Sequence, residues 1–145
     1  MNTQYNIELI PYENMETILP LVIALNDNKI EYAILKERLN SMLLMGGYQC
    51  IGVYDKKELI PICGIWVLNK LYSGKHIEPD NVFVKPEYRN HGIGQMMMEW
   101  LLTYAKQIGC NGLEVNCYIT NLKGKKFWEK QGFDPIGHHL IMKLA

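Results

Sequence analysis

Apolar residues recur along this chain with two periods, and the switches between them divide it into strands and helices. Tyr5 to Ile10 alternates and predicts a first strand, stopped by Pro11. From Glu13 to Leu25, Met15, Ile18, Leu19, Val22 and Leu25 fall at helical spacing. Glu31 to Met45 repeats that pattern with Ile34, Leu35, Leu39, Met42 and Met45, and Gly46-Gly47 ends it. Tyr48 to Tyr54 and Ile60 to Leu68 are rich in β-branched and aromatic residues. The polar Asp55-Lys56-Lys57-Glu58 between them predicts a hairpin. A loop around Ser73-Gly74-Lys75 then leads to a strand over Asn81 to Lys85.

The strongest helical pattern runs from Gly92 to Ile108, with Ile93, Met97, Trp100, Leu101, Tyr104 and Ile108 on one face and Gly109 at its end. Gly112 to Tyr118 alternates Leu113, Val115 and Cys117 against Glu114, Asn116 and Tyr118, as a strand should. Asn121 suits the N-cap of a short helix through Gln131, and Gly132 stands where a left-handed terminating residue is expected. Phe133 to Lys143 supplies a last strand. The order β-α-α-β-β-β-α-β-α-β predicts one α+β domain over residues 1–145, with a mixed, mainly antiparallel central sheet.

Charge narrows the function classes. Fifteen basic and fifteen acidic side chains cancel, so the basic excess that duplex binding needs is missing and no nucleic-acid partner is expected. Cys50, Cys63, Cys110 and Cys117 show no CxxC spacing, and three of them lie in apolar runs, which predicts buried reduced thiols in a cytoplasmic protein. MNTQYNIELI has neither a basic start nor a long apolar core, so no leader is expected. No apolar run reaches the roughly 20 residues that span a bilayer, so no membrane partner is expected.

The chemistry concentrates between Val82 and Gly94. A strand ends at Pro86, a polar turn follows, and Gly92-Ile93-Gly94 opens the long helix. The first turn of a helix has amides without intrahelical partners and a partial positive charge, which together favour an anion. Two glycines clear the approach, and Arg89 adds a planar, charged fork suited to phosphate. Neither better-known phosphate loop fits. No GxxxxGK is present, and the dinucleotide fingerprint needs Gly or Ala where this chain has Met97, although Glu114 lies where a ribose-binding acid would.

Val84-x-Pro86-x-x-Arg89-x-x-Gly92-x-Gly94 resembles the coenzyme-binding motif of the GNAT superfamily, the acyl-CoA-dependent N-acyltransferases. A second block, Asn121-x-x-Gly124-x-x-Phe127-Trp128-x-x-x-Gly132-Phe133, resembles that family's C-terminal Asn-x-x-Ala-x-x-Phe-Tyr-x-x-x-Gly-Phe pattern. The resemblance implies acetyl-CoA as co-substrate, no metal, and a small-molecule or peptide amine as acceptor. It assigns the pyrophosphate to the amides of Arg89, Asn90, His91, Gly92, Ile93, Gly94 and Gln95, and the pantetheine arm to the strand Val82-Phe83-Val84. It places the thioester in a gap between the strands of Val84 and Val115, beside Phe127. Asn121 is expected at the pantetheine or substrate side of the cleft and Lys125 near the coenzyme phosphate, although Lys123, Lys125, Lys126 and Lys130 also read as a solvated helix face.

Acyl transfer needs a neutral amine, and at pH 7 only about one alkyl amine in a few thousand is deprotonated. Asp80, four residues before Val84 where many relatives carry Glu, is the first candidate for the base, and Glu78 the second. The family's usual acid for the departing thiolate is a Tyr at the position held here by Trp128, whose indole N–H cannot serve. Tyr118 is the candidate replacement. Trp128 also leaves open a non-catalytic coenzyme-binding sensor. The acceptor side is expected around Asn26 to Met45, with Asp27, Glu31, Glu37, Tyr32 and Trp66, and near Tyr72 and His76. The sequence does not give the oligomeric state, and a homodimer is a fair expectation for a small enzyme.

Overall fold

Asp55 and Glu58 stand opposite one another across the first hairpin turn, as the polar tetrapeptide requires. This register comes from a computed structural model that describes residues 4–145. The first three residues, part of the stretch read as leaderless, lie outside it. The elements are β1 (Tyr5–Leu9), α1 (Leu19–Leu25), α2 (Tyr32–Met45), β2 (Tyr48–Asp55), β3 (Glu58–Lys70), β4 (Gly74–Val84), α3 (Ile93–Gln107), β5 (Gly112–Leu113) and α4 (Leu122–Lys130). They form a sheet of order β1-β2-β3-β4-β5, antiparallel except for the last pair. The α+β class and the mainly antiparallel sheet therefore hold.

Side chains that alternate along β2 and β3 feed two cores. On one face Tyr48, Cys50, Ile62 and Phe83 pack with Met15, Ile18, Leu19, Leu35 and Leu39 from the helical flap. On the other, Ile51, Val53, Cys63, Ile65 and Ile77 pack against Ile93, Met97, Met98, Leu101 and Ala105 of α3. No helix among the described residues is long and apolar enough to cross a membrane.

Several boundaries differ from the sequence expectation. The helix expected over Glu13 to Leu25 is split into a 3-10 turn at Tyr12–Ile18 and α1, with Pro20 in the first turn of α1. A proline ring clashes with the carbonyl four residues back and is best held at a helix start. β4 begins at Gly74 rather than Asn81, and Pro79 lies within it opposite Ile65. The stretch Glu78-Pro79-Asp80-Asn81 looks like a turn, yet beyond Ile77 β4 has no ladder partner on its second side, where a missing N–H is tolerated.

The strand expected over Gly112 to Tyr118 pairs with β4 only at Gly112 and Leu113. Continuing that parallel register would set Val115 against Pro79, which has no N–H to give. The last expected strand, Phe133 to Lys143, does not form. Pro135 interrupts its start, Leu140-Ile141-Met142 breaks the alternation, and the segment after β5 offers no laddered edge. Ile136, Leu140 and Ile141 are accordingly exposed.

Candidate active site

The geometry of the site follows from how β4 meets its neighbours. Between the pairs Gly64–Asp80 and Ile62–Phe83, β4 supplies two residues, Asn81 and Val82, against the single Cys63 of β3. Asn81 takes a left-handed φ of 53° to make this bulge. A bulge interrupts the ladder and re-aims the residues beside it. β5 pairs no further along β4 than Ile77, so the Val82-Phe83-Val84 backbone borders an opening.

That opening is a cleft of about 300 Å³, walled by Val82, Phe83, Val84, Arg89, Gly94 and Phe127 together with Leu25, Cys63, Met97, Met98 and Trp128. The first six were expected at the coenzyme; the other five were not. Cys63 and the two methionines reach the cleft through the register of β3 and α3, which periodicity alone does not supply. Trp128 is held edge-on between Phe127 and Phe133, with ring centroids 5.0 and 5.3 Å away. Burial pushes the Cys63 thiol up, and likewise lifts Cys50 to about 12, so neither is a thiolate at neutral pH.

The mouth of the cleft is the start of α3. Gly92 occupies the N-cap with φ 76°, and no side chain caps the helix, so its first amides are left for another acceptor. Gly94 carries no side chain toward the cleft; a Cβ there would lie 3.5 Å from the Phe127 ring. Arg89 Nε donates to the Val84 carbonyl at 3.1 Å, and its guanidinium lies 5.7 Å from the centre of the Phe83 ring. The fork is thereby pinned to the end of β4. His91, Gly92, Ile93 and Gln95 also line a second groove, between β1 and α3. Asn90, at φ 65°, shapes the turn before them.

Other expected coenzyme residues have local partners. Asn121 Oδ1 accepts from the Gly124 amide at 3.0 Å, capping α4, and a Cβ on Gly124 would come within 2.4 Å of that side chain. Lys125 pairs with Glu129 at 3.8 Å on the exposed face of α4. Tyr118 is 78% exposed and is not among the cleft walls.

The candidate bases differ sharply in surroundings. Asp80 Oδ1 accepts from the Asn81 amide at 2.9 Å and Oδ2 from Trp66 Nε1 at 3.2 Å, which orients an exposed carboxylate beside the bulge. Burial raises the Glu78 carboxyl, but hydrogen bonds from His76 and Lys70 outweigh it and hold Glu78 below the usual carboxylate value. Glu78 is thus engaged where Asp80 is oriented and open. Tyr48, missed as a site residue, stacks obliquely on Trp66 at 5.0 Å and has a buried hydroxyl with no partner among the described residues. Of the other acceptor-side residues, Trp66 joins Asp80, whereas Tyr72 projects fully into solvent.

An apolar slot beside a bulged strand and an uncapped helix start at its mouth thus lie together where β5 leaves the sheet. The profile of the Acetyltransferase (GNAT) family matches residues 12–133, and the chain belongs to that family. Over 75 residues it is 36% identical to the peptidyl-lysine N-acetyltransferase YjaB of Salmonella typhimurium, a match covering 52% of this chain and 47% of that protein. The chain thus spans about half the length of this curated relative. In fold it is similar to an aminoglycoside acetyltransferase, meta-AAC0020, from an uncultured soil metagenomic sample, with TM-score 0.84, 14% identity and 99% of both chains covered. It is also similar to the ribosomal-protein-alanine N-acetyltransferase of Brucella melitensis biovar Abortus 2308, with TM-score 0.81, 15% identity, and 97% of this chain and 99% of that one covered.

Proposed function

We propose that the protein transfers an acetyl group from acetyl-CoA to a primary amine of a small molecule or peptide, by direct attack within a ternary complex. The observation that carries this reading is the cleft between the free side of β4 and α3, with the uncapped α3 start at its mouth. The first α3 amides and Arg89 take the pyrophosphate, and the pantetheine lies along Val82 to Val84 as an added strand. A main-chain N–H of that strand polarises the thioester carbonyl and meets the developing oxyanion. Asp80, aimed by Trp66 and the Asn81 amide, takes the amine proton directly or through a water. The names of the relatives, which act on peptidyl-lysine, ribosomal-protein alanine and aminoglycosides, support an amine acceptor of these classes.

Acetyl-CoA at about 100 times its Kd should stabilise the fold by about 2.7 kcal/mol, visible as a raised Tm. Gly94→Leu should remove that protection. A screen of thiol release across polyamines, aminoglycosides, amino acids and peptide amines then finds the acceptor. Asp80→Asn should lower kcat on that acceptor by about 10²- to 10⁴-fold. No protection at millimolar coenzyme would end the proposal.

One observation favours a second reading. Trp128 replaces the usual tyrosine acid, and Tyr118 is exposed and outside the cleft walls. A sensor that binds coenzyme without turnover fits those two facts. Steady thiol release on any defined amine rejects it, whereas protection without release across the whole screen supports it.

A further inference from the structure

Where β4 and β5 part, one buried imidazole faces only electron-rich atoms. His76 is 1% exposed. Its Nδ1 lies 3.1 Å from the Gly74 carbonyl oxygen, which can only accept, and 3.3 Å from Ser73 Oγ. Nε2 faces Glu78 Oε1, 3.2 Å away, and Glu114 Oε2, 3.1 Å away, where it can meet the carboxylates through a proton or through a cation held between them. Three donor atoms, all within 4.8 Å of one another, converge there.

We propose that His76 Nε2, Glu78 Oε1 and Glu114 Oε2 bind one divalent transition-metal ion of the zinc class at the β4–β5 junction. The two Nε2 contacts are closely matched in length, and metal bonds of about 2.0–2.1 Å in a tetrahedron set ligand–ligand edges of about 3.3 Å, close to both. The Nδ1–H···O=C bond to Gly74 is the orienting contact that metal-bound histidines commonly make.

The surroundings suit an ion that keeps an open position. The Glu78 and Glu114 side chains are 24% and 49% exposed, so water or another small ligand completes the coordination. Imidazole with two carboxylates favours a borderline ion over calcium or magnesium. Lys70 also reaches Glu78 Oε1 at 3.2 Å, from a side chain 54% exposed, so an ion taking that oxygen has only a solvated lysine to displace. The Glu114 amide already donates to the Ile77 carbonyl at 2.9 Å. Metal would therefore staple the point at which β5 leaves the sheet. The inference does not depend on the acetyl-transfer reading.

The test uses the full chain, stripped with a chelator and titrated calorimetrically with Zn²⁺ alone. Saturable binding of one equivalent is expected, with Co²⁺ giving the visible absorption of a low-symmetry site. Glu114→Gln, at a half-exposed position, should weaken Zn²⁺ by about tenfold or more and abolish the Co²⁺ bands, with the metal-free Tm held as the check on folding. His138 and His139, in the exposed C-terminal segment, are the competing ligands, and a His138→Asn/His139→Asn variant should bind as the parent does. Absence of one-equivalent binding, binding indifferent to Glu114→Gln, or its loss in the His138/His139 variant would each overturn the proposal.

Discussion

The two sides of β4 are built differently. Toward β3 the strand is laddered from Gly74 to Val84 with a single bulge; toward β5 it is paired only at His76 and Ile77. The laddered side carries the two cores, with Cys50, Ile51, Ile62, Ile65 and Ile77 fully buried or nearly so. The open side carries the cleft, Asp80 and the His76 cluster. The proposed chemistry lies where the sheet stops pairing. The same strand can serve both because its neighbour on one side fixes it well enough to leave the other side bare.

The sharpest test of that contrast is a cavity in the packed half. Leu101 is 0% exposed behind the sheet, and Leu101→Ala should cost about 2–5 kcal/mol by denaturant titration. A smaller loss is expected from crowding the ladder itself. A Cβ at Gly64 would lie 2.5 Å from the Tyr48 hydroxyl and 2.7 Å from the Asp80 carbonyl, so Gly64→Ala should cost about 1–3 kcal/mol. It should also shift the bulge that aims Asp80, lowering kcat together with stability.

A third prediction is read as a pH dependence. Tyr88, in the turn after β4, donates to Asp55 Oδ2 at 3.0 Å, and this bond raises its hydroxyl from 10.0 to about 12. A raised folded value means that the contribution is whole below the unfolded pKa and is lost as pH rises through the folded one. The denaturation midpoints of the parent and Tyr88→Phe should therefore differ at neutral pH and converge between pH 10.0 and about 12. Convergence at acid pH instead would refute the assignment. The smallest effect belongs to the open half: Ile141 is 66% exposed, and Ile141→Ala should stay within about 0.5 kcal/mol of the parent. A larger loss would mean that the C-terminal segment is packed in solution.

Legibility followed the same division. The first hairpin, α2, α3 and α4 were readable because each has its own period and end signals. Asn121 and Gly132 mark the ends of α4 as their residue types predict, the latter at φ 103°. The turn from β4 through Arg89 to Gly94 into α3 was readable because its signals are local to one turn. The length of β4 and the shortness of β5 were not. Pro79 looks like a turn residue, and only its place opposite Ile65 shows it within a strand. Val115 and Cys117 alternate properly, but alternation cannot reveal whether a partner is present.

By itself the sequence determined where α2, α3 and α4 start and stop, which faces are apolar, and that a glycine-opened helix start follows a strand. Those properties are set by neighbours within a few residues. Tertiary structure alone decided that Trp66 would aim Asp80, that Cys63, Met97 and Met98 would wall the cleft, and that His76, Glu78 and Glu114 would meet. Each of these pairings joins different elements, and strand register, which no single stretch encodes, chooses among them.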